Sequence, residues 1–554
     1  MLTILISPPG LLFPLPLAVR RLQDFLLLLV AGLLVLPVLA IVGSWLQWDR
    51  VSAQVLGEMA QTVLPAYAAT SIGLCLVVGA GVALIGGAGA AAVTLFDFPG
   101  RRTFEWALLL PLAMPAYVVA YAYTDYLQFS GPFQTWLRAL TGLEGRVFPE
   151  VRSEGGAAFV FVFTLYPYVY LLARTALVER AGHLMEAARL LGAPLRRRIR
   201  SIAFPLARPA VAAGVALALM ETLADYGVSS YFGIQTFTAG IYKAWLAMDN
   251  RIAAAQLATV LLLLVALLLA LERRAQRRLR FVSARGGRAG SAENRPVVLT
   301  GGRTMLAWTV CGTPVLMGFV LPVLFMLRPL AADWSVLPRD RFVEWAFNSV
   351  RLGAISAVLA VLLATLLAFS LRRSPDALTR GVVQLAALGY AVPGAVIVVG
   401  LLLPVGWLQE TLPQAGLGAL VTATVLGVVW AYLVRFVSVA LQSLQSGYSR
   451  IPGSLDDSAR MLGAAGFGLL ARVHWPLLRR SATAASLLVF VDVMKELPAT
   501  LVLRPFDTDT LAVVAYQLAR DERLGEAALP SLALVLVGLI PVVLLSRALR
   551  TPQS

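Results

Sequence analysis

The sequence predicts an all-α protein that crosses a membrane many times. Of its 554 residues, 59% are hydrophobic and only 14% are charged, and the mean hydropathy is +0.79. Soluble domains average roughly 45–50% apolar and about 25% charged residues. Apolar runs recur along the chain at the length of about 20 residues that a helix needs to cross a bilayer. These observations exclude an ordinary soluble enzyme, a small secreted protein and a disordered chain.

The apolar runs predict about twelve membrane-spanning helices. They lie near residues 22–46, 63–93, 104–127, 157–179, 207–229, 253–271, 305–327, 347–371, 381–405, 418–441, 481–503 and 526–547. The second run is longer than one simple span requires. Residues 1–19 carry four prolines and no basic start, a pattern unlike that of a cleaved signal peptide.

The distribution of basic residues predicts the orientation. With the N-terminus inside, 30 of the 46 Lys and Arg fall in cytoplasmic segments and 12 in loops on the other side. Because cytoplasmic loops of membrane proteins are enriched in Lys and Arg, we expect both termini in the cytoplasm. The net charge of +16 then serves as an anchor beside the lipid bilayer, and we expect no nucleic-acid partner.

Several kinds of chemistry are excluded by residue counts. Lys243 and Lys495 are the only lysines, and neither lies in the Gly-Lys-Ser/Thr context of a Walker A loop. Any ATP hydrolysis must therefore come from a partner, and we expect no cofactor on this chain. Cys75 and Cys311 lie in apolar runs and only two histidines occur, which argues against a disulfide framework or a tight metal site.

Motifs recur at a nearly constant spacing and indicate an internal duplication. Residues 186–193 (EAARLLGA) match residues 457–464 (DSARMLGA) at an offset of 271, and Pro115 matches Pro393 at an offset of 278. The predicted units are an N-terminal cytoplasmic segment (1–21), a first repeat (22–271), a cytoplasmic linker (272–304) and a second repeat (305–554). Each repeat holds six spans of the same orientation, so the two repeats are parallel.

The first long loop (180–208) and the second long loop (442–480) occupy the same place in each repeat. Each combines an acidic residue, small residues, a Gly, and a Pro before the next span. This pattern predicts a short amphipathic helix, a Gly turn, a second helix and a Pro-marked entry into the membrane. A plain basic loop is one interpretation. Its duplication favours the other, a helix that docks into a groove of a partner.

The residues of these loops resemble the coupling-loop signature of ABC importer permeases. In that family the loops insert into a cleft of the ATPase subunits. The resemblance implies that the corresponding residues contact the ATPase here; they are Glu186, Ala187, Ala188, Gly192 and Pro205 in the first loop and Asp457, Ser458, Ala459, Gly463 and Pro476 in the second. The second copy departs from the signature, with Asp457 in place of Glu.

A narrower resemblance follows each loop. Residues 221–227 (ETLADYG) and 495–500 (KELPAT) are similar to fused, two-repeat permeases for ferric iron. The resemblance implies an ATPase dimer that carries ATP and Mg²⁺ and an extracellular or periplasmic substrate-binding protein. A partner on the periplasmic side suits a bacterial inner membrane. Fused thiamine permeases and phosphonate or polyamine permeases are related families.

Charged residues within predicted spans mark a candidate pathway. Each costs about 2.5–3.5 kcal/mol at the centre of a bilayer on the translocon scale, so they must face each other, a cavity or water. The charged residues are Glu221, Asp225, Asp492, Lys495 and Glu496, and the nearby Tyr226 completes the candidate pathway set. Hard cations prefer oxygen ligands, and the four carboxylates are candidates for transient contact with a metal ion.

Structural ion pairing is the other interpretation of these charges. Lys495 would pair with Asp492 or Glu496, and Arg174, Arg351 or Arg435 would neutralise the remaining acids. Tyr117, Tyr121 and Tyr123 are interpreted as an aromatic belt at the membrane interface or, alternatively, as a ligand set.

The sequence therefore predicts the permease subunit of a binding-protein-dependent ABC importer, first for ferric iron and second for thiamine. A proton-coupled secondary transporter, in which the acids relay protons, remains the alternative class. The duplicated Gly/Pro loop favours the importer, since a self-sufficient transporter does not need it.

Overall fold

The protein is a bundle of helices. The computed structural model describes residues 17–46, 50–178, 182–283, 296–332, 339–464 and 466–549. Within these ranges ten helices are long and apolar enough to cross a membrane, or eleven if one bent pair counts as a span. The predicted N-terminal segment (1–21) and linker (272–304) lie partly outside the described residues.

The helices of the first half are numbered in chain order. They are α1 Leu17–Gly43, α2 Arg50–Thr62, α3 Leu64–Leu95, α4 Arg101–Ala107, α5 Ala116–Leu127, α6 Pro132–Thr141, α7 Glu154–Ala176, α8 Gly182–Leu190, α9 Leu195–Arg198, α10 Phe204–Ala224, α11 Gly227–Phe232, α12 Phe237–Tyr242 and α13 Arg251–Ser283.

The second half continues the same order. Its helices are α14 Gly302–Val315, α15 Leu321–Ala332, α16 Arg339–Arg373, α17 Ala377–Ala386, α18 Gly394–Thr411, α19 Leu417–Thr422, α20 Leu426–Tyr448, α21 Gly453–Met461, α22 Phe467–Leu469, α23 Trp475–Lys495, α24 Pro498–Leu503, α25 Leu511–Arg520 and α26 Leu524–Leu549. One parallel strand pair, β1 (Phe96–Asp97) with β2 (Val297–Val298), joins the end of α3 to the segment before α14.

Several predicted spans are interrupted rather than continuous. The third prediction (104–127) is a pair of segments bent by 89°, with α5 beginning after Pro115. The ninth (381–405) is split between α17 and α18, which begins after Pro393. Proline fixes its own φ and has no N–H to donate, and it disfavours the helical conformation in the residue before it, so helices break at these points.

The fifth and eleventh predicted spans also end early. Instead of continuing to residues 229 and 503, α10 ends at Ala224 and α23 ends at Lys495, and a short helix follows each break. Broken helices at membrane depth require that neighbouring protein groups or a water-filled cavity satisfy the freed backbone. The breaks therefore point to the interior of the bundle.

The two halves interlock. Within the first half α3 packs along α7 and α10, and within the second α16 packs along α20 and α23. Across the halves, α1 and α13 pack on α18, while α15 and α26 pack on α5 and the turn before it. Small residues permit close approach in the membrane; a Cβ at Gly86, for instance, would lie 2.7 Å from the carbonyl oxygen of Tyr166.

Candidate functional site: a charged cavity between the two halves

Two carboxylates cap, in the same way, the short helices that follow the ends of α10 and α23. The Asp225 Oδ1 atom accepts hydrogen bonds from the backbone N–H groups of Val228 (2.9 Å) and Ser229 (3.3 Å). These are N–H groups of the first turn of α11, which have no partner within their own helix. The carboxylate therefore stabilises the start of a helix that follows an interrupted span.

Glu496 repeats this arrangement in the second half. Its Oε1 accepts from the N–H of Ala499 and its Oε2 from the N–H of Thr500, both at 3.0 Å. The hydroxyl of Thr500 donates a third bond to Oε2 at 2.8 Å. Two of the four predicted pathway acids are thus helix-capping groups at equivalent positions.

A cavity of about 190 Å³ lies between the halves at these breaks. Its wall contains aromatic residues and prolines, among them Tyr117, Tyr168, Tyr390 and Pro115. Six charged side chains also line it: Glu221, Asp225, Arg435, Asp492, Lys495 and Glu496. Four carboxylates against two basic groups leave a formal charge of −2 when all are ionised. All five charged residues that the sequence singled out therefore meet in one place.

Arg435 on α20 is the central cation of the cavity. Its guanidinium lies 3.9 Å from Glu221 Oε2 and 3.6 Å from Glu496 Oε1, so it links an acid of each half. Gly394 leaves room for this contact, because a Cβ there would lie 2.8 Å from Glu496 Oε1. The sequence offered Arg435 as one of three partners; Arg174 instead pairs with Glu105 at 3.3 Å, and Arg351 lies 5.9 Å from the ring of Phe347.

Lys495 does not form the ion pair that the sequence suggested. Its ammonium group donates a hydrogen bond to the backbone carbonyl of Leu112 at 2.9 Å. Among the described residues it forms no ion pair with Asp492 or Glu496. Leu112 lies in the turn before α5, where a broken helix exposes carbonyl groups, and Lys495 satisfies one of them.

The tyrosines differ from the prediction. Tyr226 does not line the cavity; its ring packs against Tyr242, with centroids 4.3 Å apart, and against Tyr516 at 6.1 Å. Tyr117, Tyr121 and Tyr123 do not form an interfacial belt, because all three are buried. They lie on α5, whose entire central part is covered by other helices.

No closed metal cage is formed by the described residues. Among them, no group of three or more His, Cys, Asp and Glu side chains is placed to hold a metal ion. The cavity acids are instead distributed around its wall, and two of them are bound to helix N–H groups. Such an arrangement favours brief contacts with a passing ion over tight ligation.

The two long loops have the same local structure. In the first, α8 carries Glu186, Ala187 and Ala188, and the chain turns at Gly192 with φ of +77°. In the second, α21 carries Asp457, Ser458 and Ala459, and the chain turns at Gly463 with φ of +82°. The left-handed conformation at each turn favours glycine. Pro205 and Pro476 lie in the first turns of α10 and α23.

Both loops expose large apolar side chains beside the turn. Leu190 and Leu191 are 82% and 87% exposed, and their equivalents Met461 and Leu462 are 90% and 89% exposed. An exposed apolar patch on a polar loop is typical of an interaction surface. The sequence motif did not single out these four residues, although they lie between the motif's alanines and its glycine.

Comparison with known proteins agrees with this geometry. Residues 83–281 match the family model of the binding-protein-dependent transport system inner membrane component. The matched segment contains the first long loop and the first pair of cavity acids. A ferric-iron transport system permease of Haemophilus influenzae is 26% identical over 463 residues, which cover 82% of this chain and 84% of the relative. Residues 83–281 thus carry the permease domain of this family, and the chain resembles ABC importer permeases over most of its length.

Two further relatives show how far the likeness extends. A probable ABC transporter permease of Sinorhizobium fredii is 24% identical, with 84% of each chain covered. A sulfate transport system permease of Salmonella typhimurium is 28% identical over 36% of this chain and 70% of the relative. The chain is thus a multi-pass membrane protein that resembles a ferric-iron permease over most of its length. The family that residues 83–281 match is a binding-protein-dependent transport system, which in general implies an ATPase and a substrate-binding protein as partners.

Proposed function

We propose that this permease carries ferric iron across a bacterial inner membrane, from a binding protein on the outer face to the cytoplasm. The cavity carries the proposal, because it brings four carboxylates from equivalent helices of the two halves around one space. Ferric ion is a hard cation for which carboxylate oxygens are suitable ligands. Similarity to a ferric-iron permease over most of the chain supports the same substrate.

Glu221 and Asp492 are the acids through which the ion would pass. Both line the cavity at equivalent positions, and neither accepts a hydrogen bond from a helix N–H within the described structure. Asp225 and Glu496 instead cap the short helices that follow the breaks. The ion would exchange water for one or two carboxylate oxygens at a time, which allows entry and release.

The two basic groups limit how tightly an ion binds. Arg435 competes for Glu221 and Glu496, so a cation that approaches either acid must displace an existing ion pair. Lys495 adds a second positive charge to the same wall. A cavity with four carboxylates and no cation would bind a trivalent ion too strongly for transport.

The two long loops would dock on a separate ATPase dimer that binds ATP and Mg²⁺. Their helices present matching apolar pairs beside matching glycine turns, as two copies of one docking element should. In this arrangement the loops and both termini face the cytoplasm. Closure of the ATPase dimer around ATP would move the loops and rock the halves against each other around the cavity.

Reconstitution tests this function directly. The chain is placed in liposomes with its candidate ATPase and binding protein, and uptake of ferric ion or thiamine is measured with and without ATP. ATP-dependent uptake of iron alone is the expected result. Uptake of thiamine alone would overturn the substrate and keep the class, whereas uptake that ignores ATP and stops with an uncoupler would indicate a proton-coupled transporter.

An oxyanion is the second candidate substrate, because the cavity also holds two basic groups and the sulfate permease is a relative. The contacts disfavour it: the guanidinium of Arg435 already faces two carboxylates, and Lys495 donates to a backbone carbonyl. Sulfate added to the same liposomes is therefore expected not to accumulate.

A further inference from the structure

The second long loop is joined to the membrane-spanning helices by a buried polar cluster. Asp456 on α21 accepts a hydrogen bond from Arg372 Nε at its Oδ2 atom (2.8 Å), and its Oδ1 atom lies 3.0 Å from His474 Nε2. The other ring nitrogen of His474 lies 3.3 Å from the hydroxyl of Tyr448. We name these four residues the polar anchor.

The anchor connects three different helices to the loop. Arg372 lies at the end of α16, Tyr448 is the last residue of α20, and His474 immediately precedes α23. Arg372 also donates a second bond, to the backbone carbonyl of Ile451 at 3.0 Å. The helix that carries the second docking motif is therefore tied at one point to the end of α16 and to the ends of α20 and α23, two helices that line the cavity.

Burial makes these contacts strong and directional. Asp456 is 4% exposed, and His474 is fully buried. Charge-assisted hydrogen bonds are stronger than neutral ones, and they weaken little in the absence of competing water. Burial by itself raises the pKa of Asp456, but the hydrogen bonds from Arg372 and His474 outweigh it and hold the pKa below its ordinary value. The carboxylate thus remains charged and bonded.

In the part of the first long loop that the structure describes, the equivalent positions hold no such cluster. At the offsets of the repeat, Thr94, Leu177, Met185 and Ala203 stand where Arg372, Tyr448, Asp456 and His474 stand in the second half. All four are buried. Met185 of α8 belongs to the same apolar core as Leu177 and Ala203, and apolar contacts are less directional than charge-assisted hydrogen bonds.

We propose that Arg372, Asp456 and His474 are positioning residues that make the second long loop the rigid lever of the permease, whereas the first long loop can shift on its apolar seat. The inference rests on the proposed docking of both loops. Movement of the ATPase at α21 passes through the anchor to α20, which carries Arg435, and to α23, which carries Asp492 and Lys495. Movement at α8 is transmitted less directly.

Helix mobility tests the anchor without any partner. The full chain is placed in nanodiscs with Cys75 and Cys311 replaced by alanine, and a spin label is attached at Leu462→Cys or at Leu191→Cys. In the variant Arg372→Met the label at position 462 should become mobile and the label at position 191 should not. Met185→Leu, a conservative change at the first-half equivalent of Asp456, is the matched control and should leave both labels unchanged.

A double variant separates polar contacts from shape. Arg372→Met with Asp456→Met removes both charges and copies the methionine of the first half, so no buried charge is left unpaired. The label at position 462 should still be mobile while the chain remains folded. An immobile label at position 462 in either variant would overturn the anchor.

Coupling is then measured in the complete complex with ATPase and iron-loaded binding protein. For Arg372→Met, the iron transported per ATP hydrolysed should fall severalfold while ATP hydrolysis continues, because movement of the loop no longer reaches α20 and α23 through the anchor. An unchanged ratio would refute the lever even if the label is mobile. Loss of ATP-driven uptake by the unmodified complex would refute the proposed function instead, and leave the mobility result standing.

Discussion

The two halves of the chain share their geometry and differ in their charges. Both have the left-handed glycine turn in the long loop, the acidic residue that caps the short helix after a broken span, and a proline directly before a helix that follows a break, Pro115 before α5 and Pro393 before α18. The basic groups belong to one half only. Arg435 and Lys495 have Thr164 and Ala224 at the equivalent positions of the first half, and these two residues also line the cavity.

The difference shows which features a duplicated membrane protein must keep in both copies. A turn or a cap satisfies backbone groups of its own half, so each copy needs one. Charge compensation acts across a shared cavity, so one arginine can serve acids of both halves, as Arg435 does for Glu221 and Glu496. The polar anchor of the second long loop extends the same asymmetry outside the cavity.

The largest effect is expected at the features that both halves share. Gly192→Val or Gly463→Val places a β-branched residue in a left-handed conformation, which costs about 1–2 kcal/mol and shifts the turn. A Cβ at either position meets no atom within 4 Å, so the bundle itself is not disturbed. ATP-dependent uptake should be lost in each variant while the amount of membrane-inserted chain stays the same. Full uptake in both variants would contradict docking.

Arg435→Met should lower the free energy of unfolding far more than Thr164→Val, the matched variant at the equivalent position of the first half. It leaves Glu221 and Glu496 without the cation between them, and loss of one partner of a buried ion pair costs about 3–5 kcal/mol. The matched variant Thr164→Val removes only a bond from the hydroxyl to the Val160 carbonyl of its own helix, about 1 kcal/mol. Thermal unfolding of the detergent-solubilised chain measures both; equal losses would remove the asymmetry.

The smallest effect is expected when the pH is changed and the mobility of the helix held by the polar anchor is measured. Because the pKa of Asp456 is lowered, its contribution to stability is present above the ordinary carboxyl pKa of about 3.9 and is lost only as the pH falls through the depressed value. The spin label at position 462 should therefore be as immobile at pH 5 as at pH 8. A label that loosens across this range would contradict the expectation that the bonds of the polar anchor persist between pH 5 and pH 8.

Much of the architecture could be predicted from local sequence signals. Hydropathy located the long helices, and the duplicated motif located both loops, because a Gly turn and a following Pro act within a few residues of the chain. The twelve continuous spans were wrong where Pro115, Pro393, Asp225 and Glu496 interrupt helices. An apolar run does not reveal a break when the residues on both sides of it are buried.

Contacts between the halves could not be predicted in the same way. The pairing of Arg435 with Glu221 and Glu496 depends on how α20 packs against helices distant in sequence. The caps had a local signal, since an acid stands two residues before Gly227 and Pro498 at the start of the next helix. The burial of Tyr121 inside the bundle had no local sequence signal, because interfacial and interior tyrosines have the same neighbours in sequence.

The most direct test of the account is the uptake of ferric ion by the double variant Glu221→Gln with Asp492→Asn, in liposomes with ATPase and loaded binding protein. These substitutions remove the two acids that do not cap helices and keep the shape of the cavity. We expect uptake to be lost while the ATPase remains bound. Uptake equal to that of the unmodified permease would contradict the account and assign both acids to structural roles.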